Sequence, residues 1–110
     1  MNGTRIALDT CTIVKLLEKQ YDLTPLGINV IEAQFFSSVI VRMELLSKRQ
    51  MQEEEKQKIL GFLNDITVIP LNEAIEQTAV ELRRSTSLKL PDSIVAATSI
   101  VLDAFLLTDD

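Results

Sequence analysis

Four carboxylates carry the chemistry this sequence could do: Asp9, Glu44, Asp92 and Asp110. Asp9 closes the short apolar run Ile6-Ala7-Leu8, which is too brief for a helix and is bounded by polar chain. That is the pattern of a strand buried on both faces of a parallel sheet. Open α/β sheets hold their ligands at the carboxyl ends of strands, and Asp9 stands at such an address. Asp110 follows Ala104-Phe-Leu-Leu-Thr108, which reads as another strand; Asp92 opens the helix that feeds it, and Glu44 lies in the second turn of a helix after Phe35-Phe36. Converging like charges repel one another unless a cation compensates. The chain has no histidine and one cysteine, Cys11, which excludes Ser-His-Asp and Cys-His triads, imidazole-bound zinc and an internal disulfide. Converging carboxylates therefore imply a hard cation, Mg2+ or Mn2+, able to turn water into a nucleophile and to stabilise charge on a phosphate undergoing displacement.

Each acid also has a plainer reading. Asp9 could simply end a strand, and Asp92 could favour a helix dipole by roughly 0.3–1 kcal/mol. Glu44 could sit on a solvated face, and Asp110 could belong to a frayed tail. Taken together, these readings leave unexplained why Glu44 sits between Met43 and Leu45-Leu46.

The elements that must position the acids follow in order. From Thr10 to Lys19 the chain reads as an amphipathic helix with Ile13, Leu16 and Leu17 on one face, capped by Thr10 or Thr12. Residues 21–34 read as a short helix or loop. Gln34 to Ser37 forms a second strand, after which Ser37 or Ser38 caps a helix reaching about Gln50. Glu53-Glu54-Glu55 starts a further helix, acids first as the dipole prefers, ending at Asn64-Asp65. Thr67-Val-Ile69 is a third strand, and Asn72 caps a helix with Ile75, Ala79 and Leu82 on one stripe. Leu90-Pro91-Asp92 opens a helix apolar over most of its circumference through Ile94, Val95, Ala96, Ala97, Ile100 and Val101. Strands alternating with helices give a three-layer α/β/α sandwich with parallel crossovers.

Bulk properties bound the rest. A chain of 110 residues, 46% hydrophobic, is expected to form one domain over 1–110. It has no uncharged apolar stretch long enough to span a membrane and no signal-peptide pattern, and its lone cysteine fits a reducing cytoplasm. The net charge is −5, but setting aside the four acids leaves twelve acidic residues against eleven basic ones. That near-neutral remainder argues neither for nor against an RNA partner.

The chain resembles a PIN domain, in particular the VapC-type toxin ribonucleases of bacterial toxin–antitoxin pairs. The resemblance covers the whole chain. It rests on Leu8-Asp9-Thr10, on Ser38-Val-Ile-Val-Arg-Met-Glu44-Leu45-Leu46, on Leu90-Pro-Asp92-Ser-Ile-Val-Ala-Ala-Thr98 and on Leu106-Leu-Thr108-Asp-Asp110. It implies that Asp9, Glu44, Asp92 and Asp110 bind the metal, and that Thr108 positions the site or substrate. It further implies a sheet ordered 3-2-1-4 with the first strand central, Mg2+- or Mn2+-dependent cleavage of RNA, restraint by a cognate antitoxin, and a homodimer. Asp109 fills a variable position of the pattern and could substitute for Asp110. The pattern usually has asparagine where this chain has Cys11. It also continues into a further helix and a fifth strand, so the chain is expected to stop short of these.

Ile13, Leu16, Leu17, Leu23, Leu26 and Ile28 offer more apolar surface than one side of a small sheet needs; either some of it forms a groove for an antitoxin helix or all of it is core. The competing function is a PIN-like binding module without catalysis. A haloacid-dehalogenase-like phosphotransferase would want Asp-x-Asp where residues 9–11 read Asp-Thr-Cys, and no glycine-rich turn follows the first strand to suggest a dinucleotide site.

Overall fold

The computed structural model describes residues 3–19 and 32–108. The elements among them are β1 (Arg5–Leu8), α1 (Thr10–Leu17), β2 (Gln34–Ser38), α2 (Val39–Leu46), α3 (Glu53–Asn64), β3 (Thr67–Ile69), α4 (Glu73–Ser85), α5 (Leu90–Val101) and β4 (Phe105–Leu107). The strands pair in parallel in the order β3-β2-β1-β4. β1 is interior to the sheet, and Ile6, Ala7 and Leu8 are at most 2% exposed, as an apolar run without alternation requires. The segment read above as a short helix or loop, with Leu23, Leu26 and Ile28, lies for the most part outside the described residues.

Helix ends differ from the sequence reading at three points, the first being that α1 stops at Leu17 and not at Lys19. Neither Thr10 nor Thr12 caps α1; Asp9 does, its backbone extended and its Oδ1 accepting the Thr12 N–H at 2.8 Å. Aspartate is the stronger capping residue, and the chain turns into the helix directly from Leu8, so Thr10 is already the first helical residue. Ser38 caps α2, which stops at Leu46 and not near Gln50. There the Ser47 hydroxyl and N–H close the final turn on the Met43 and Glu44 carbonyls.

The main core joins Ile6 and Leu8 of β1 to Ile13 of α1, Val41 and Leu45 of α2, Ile59 and Leu63 of α3 and Val95 of α5. A second, smaller cluster joins Ile75 and Ala79 of α4 to Ala97 of α5, with Leu82 packed against it. α5 is less apolar on its buried side than expected. Ser93, Thr98 and Ser99 are buried, whereas Ile100 is 56% exposed. The buried hydroxyls donate to the helix's own carbonyls of Leu90, Ile94 and Ala96, so a face of small residues costs no orphaned polar group.

The C-terminal end of α5 is closed by a Schellman motif. Asp103 takes the left-handed conformation at φ 52°, its N–H donates to Ile100 O, and the Ala104 N–H donates to Ser99 O at 2.8 Å. Ala104 is thereby used in the cap, which is why β4 starts at Phe105. Arg5, at the start of β1, donates from Nη1 to Leu102 O at 2.9 Å and ties this helix end to the amino edge of the sheet. Among the described residues no helix is long and apolar enough to cross a membrane.

Gly61, inside α3, is exposed, and a Cβ built on it meets nothing within 4 Å. Gly61→Ala is therefore expected to stabilise the protein by about 0.5–1 kcal/mol, read as a raised denaturation midpoint with an unchanged slope.

Candidate active site

Asp9 is held at both oxygens. Oδ1 accepts the Thr12 N–H at 2.8 Å, and Oδ2 accepts the Thr108 hydroxyl at 2.5 Å from the residue after β4. The half-buried carboxylate therefore spans the gap between the two neighbouring strands β1 and β4. A carboxylate oxygen carries two acceptor positions, so each oxygen of Asp9 keeps one for a ligand.

Glu44 reaches the same edge from α2. The Thr10 hydroxyl donates to its Oε1 at 2.7 Å, and Thr10 directly follows Asp9. Glu44 is thus tied to the residue that follows Asp9. The apolar neighbours of Glu44 in sequence do not enclose it: Glu44 is exposed and Met43 is 57% exposed, while Leu45 is buried and Leu46 packs against the core. Successive helical residues point about 100° apart, so apolar sequence neighbours do not imply an apolar environment.

Asp92 is exposed in the first turn of α5. The other end of this helix, about 18 Å away at 1.5 Å per residue, is fixed at the amino edge by Arg5, so Asp92 lies toward the carboxyl edge. No hydrogen bond joins it to Asp9 or Glu44. Asp110 and Asp109 lie outside the described residues. Among the described residues no group of three or more His, Cys, Asp or Glu is gathered as a metal cluster. What the structure joins is Thr108 to Asp9, and Thr10, the residue after Asp9, to Glu44. Cys11, at the position where the resemblance leads one to expect asparagine, is exposed.

Two hydroxyls escaped the sequence reading as contacts of this site. The Thr12 hydroxyl donates to Leu107 O at 3.0 Å and the Ser37 hydroxyl to Leu8 O at 2.8 Å. Their only sequence signal is that each interrupts apolar chain beside a strand end.

All the oxygen donors here are hard, and Mg2+ commonly uses one or two protein carboxylates, completing its shell with water and phosphate oxygens. The Asp9–Glu44 pair fits that donor set. Thr10 and Glu44 also border a cleft of ≈ 660 Å³ between α1, α2 and α3, floored by Val14, Leu17, Leu45 and Ile59.

The sequence profile of the PIN domain matches residues 6–110. The chain belongs to the PIN domain family. No curated protein sequence matches this PIN domain, but solved structures do. It superposes on VapBC2 from Rickettsia felis, bound to a DNA fragment from its promoter, with a TM-score of 0.80 and 23% identity, covering 97% of this chain and 88% of the other. A toxin–antitoxin complex from Klebsiella pneumoniae gives 0.78 and 24% over 96% and 86% of the two chains. VapBC-1 from nontypeable Haemophilus influenzae gives 0.78 and 20% over 97% and 87%. At these identities the likeness establishes the fold, and the PIN domain's own residues must carry any argument about activity.

Proposed function

We propose that this PIN domain is a Mg2+- or Mn2+-dependent endoribonuclease and the toxin of a VapBC-type pair. The observation that carries the reading is the hydrogen bond from Thr10, the residue after Asp9, to Glu44, which ties α2 to the strand end that carries Asp9. Asp9 and Glu44 would hold the ion, with Asp92 and Asp110 as the further acids of the resemblance. When bound, the ion supplies a nucleophilic water and offsets charge on the phosphate. The protein's part is orientation. Thr108 and the Thr12 N–H hold Asp9 from two sides, and Thr10 holds Glu44 Oε1. Glu44 Oε2 has no partner among the described residues and is available to accept a proton from water.

The partner reading falls on the cleft. Ile13 is fully buried and belongs to the core, so it offers a partner nothing, and Leu16 and Leu17 are half-buried. Leu17 with Val14, Leu45 and Ile59 makes an apolar floor for an antitoxin helix, rimmed by Glu18, Glu54 and Lys58. The structural neighbours, two of which are VapBC complexes, support an antitoxin as the partner. The second reading is a binding module without catalysis.

A labelled RNA oligonucleotide decides between them. The wild-type chain is expected to cleave it with Mg2+ or Mn2+, to stop on chelation, and to lose cleavage in Glu44→Gln. Metal binding without cleavage by the wild type would select the binding module.

A further inference from the structure

We infer that Thr12 and Ser37 are positioning residues for the candidate active site, clamping through their buried hydroxyls the two strand ends that carry Asp9 and Thr108. Leu8 and Leu107 are register partners, the last residues of β1 and β4 to pair, and they immediately precede Asp9 and Thr108. Their carbonyls are the ones that Ser37 and Thr12 engage. On the other flank, pairing of β1 with β2 ends at Ala7↔Phe36, while β2 continues along β3 to Ser38↔Ile69. The sheet therefore opens around Asp9, and where ladder bonds cease side-chain hydroxyls replace them. Thr12 and Ser37 are 0% and 1% exposed, where a hydroxyl persists only if hydrogen-bonded.

Thr12 acts at two atoms. Its N–H orients Asp9 Oδ1, and its hydroxyl holds Leu107, one residue before the Thr108 hydroxyl that engages Asp9 Oδ2. The loop Asp9–Thr12–Leu107–Thr108 closes on itself, so the direction of the Asp9 carboxylate depends on the Thr12 hydroxyl as well as on the helix cap. Threonine and valine have nearly the same shape; a space-filling role would tolerate valine, whereas a hydrogen-bonding role tolerates serine. The link to metal affinity rests on the function proposed above, but the link to Asp9 geometry does not.

The experiment compares wild type, Thr12→Val, Thr12→Ser and Ser37→Ala without metal, reading the Asp9 carboxyl carbon and the Thr108 methyl by NMR, and then titrates each with Mn2+ by calorimetry. Thr12→Val is expected to shift both signals and to weaken Mn2+ binding about tenfold, the scale of losing an outer contact to a metal ligand. Thr12→Ser is expected to restore both. Ser37→Ala, which leaves α1 untouched, is expected to shift the Asp9 signal if Thr12→Val proves too unstable to measure. Wild-type signals in Thr12→Val and Ser37→Ala, or a Thr12→Ser that behaves like valine, would overturn the inference. A wild type that binds no Mn2+ would remove the metal reading, leaving the metal-free spectra to decide the positioning role.

Discussion

Asp9→Asn is expected to lower metal-dependent RNA cleavage by a hundredfold or more while costing the fold little. Loss of an outer contact to a metal ligand already costs about 10–100-fold, and Asp9 is proposed as a ligand itself. Asparagine caps helices as well as aspartate does, and its amide oxygen can take the Thr12 N–H that Oδ1 takes now. The amide nitrogen would face the Thr108 hydroxyl, which can rotate to accept from it. Asp9→Ala removes charge, cap and Thr108 partner together, and should cost about 1 kcal/mol, or roughly 4–8 °C in melting temperature. Paired melting curves and cleavage assays separate the two roles. An Asp9→Asn protein that cleaves as fast as wild type would leave Asp9 as a helix cap and nothing more.

Ile13→Ala is expected to have the largest effect on stability, about 2–5 kcal/mol. Ile13 has no exposed surface and packs in the main core with Ile6, Leu8 and Val41, so truncation leaves a cavity beneath α1. The same helix presents Thr10 to Glu44 and Thr12 to Leu107, and so its seating sets the site as well as the core. Met43→Ala, at a side chain 57% exposed, should stay within about 0.5 kcal/mol of wild type. Denaturant unfolding of both tests the contrast. A loss below about 1 kcal/mol for Ile13→Ala would mean that α1 is seated by something other than this contact.

What could be read in advance was local. An apolar triplet located β1; Asn72 marked the start of α4, with its side chain on the Ile75 N–H; and the spacing of Ile75, Ala79 and Leu82 marked the face that α4 buries. Of the candidate site, the placing of Asp9 at a strand end and of Asp92 in a helix's first turn was legible, because those addresses follow from topology. What stayed hidden were the partners. That Asp9 caps its own helix was obscured by two threonines just after it, each a plausible cap. The exposure of Glu44 was hidden because Met43 and Leu45 are neighbours in sequence but not on the helix surface. A hydroxyl advertises that it will donate, but not to what: the carbonyl that Thr12 finds is 95 residues away.

The distance along the chain between the contacts that complete the site has a consequence for its birth. Thr108 is 99 residues from Asp9, and Leu107 is 95 from Thr12. At ribosomal rates of about 5–20 residues per second, roughly 5–20 s separate synthesis of the first acid from synthesis of the threonine that steadies it. Throughout that interval β1 has no β4 beside it, and the loop to be closed is nearly the whole chain. A nascent chain therefore carries an incomplete site, and Asp9 acquires its full set of contacts only when the last strand described here has been made and has docked.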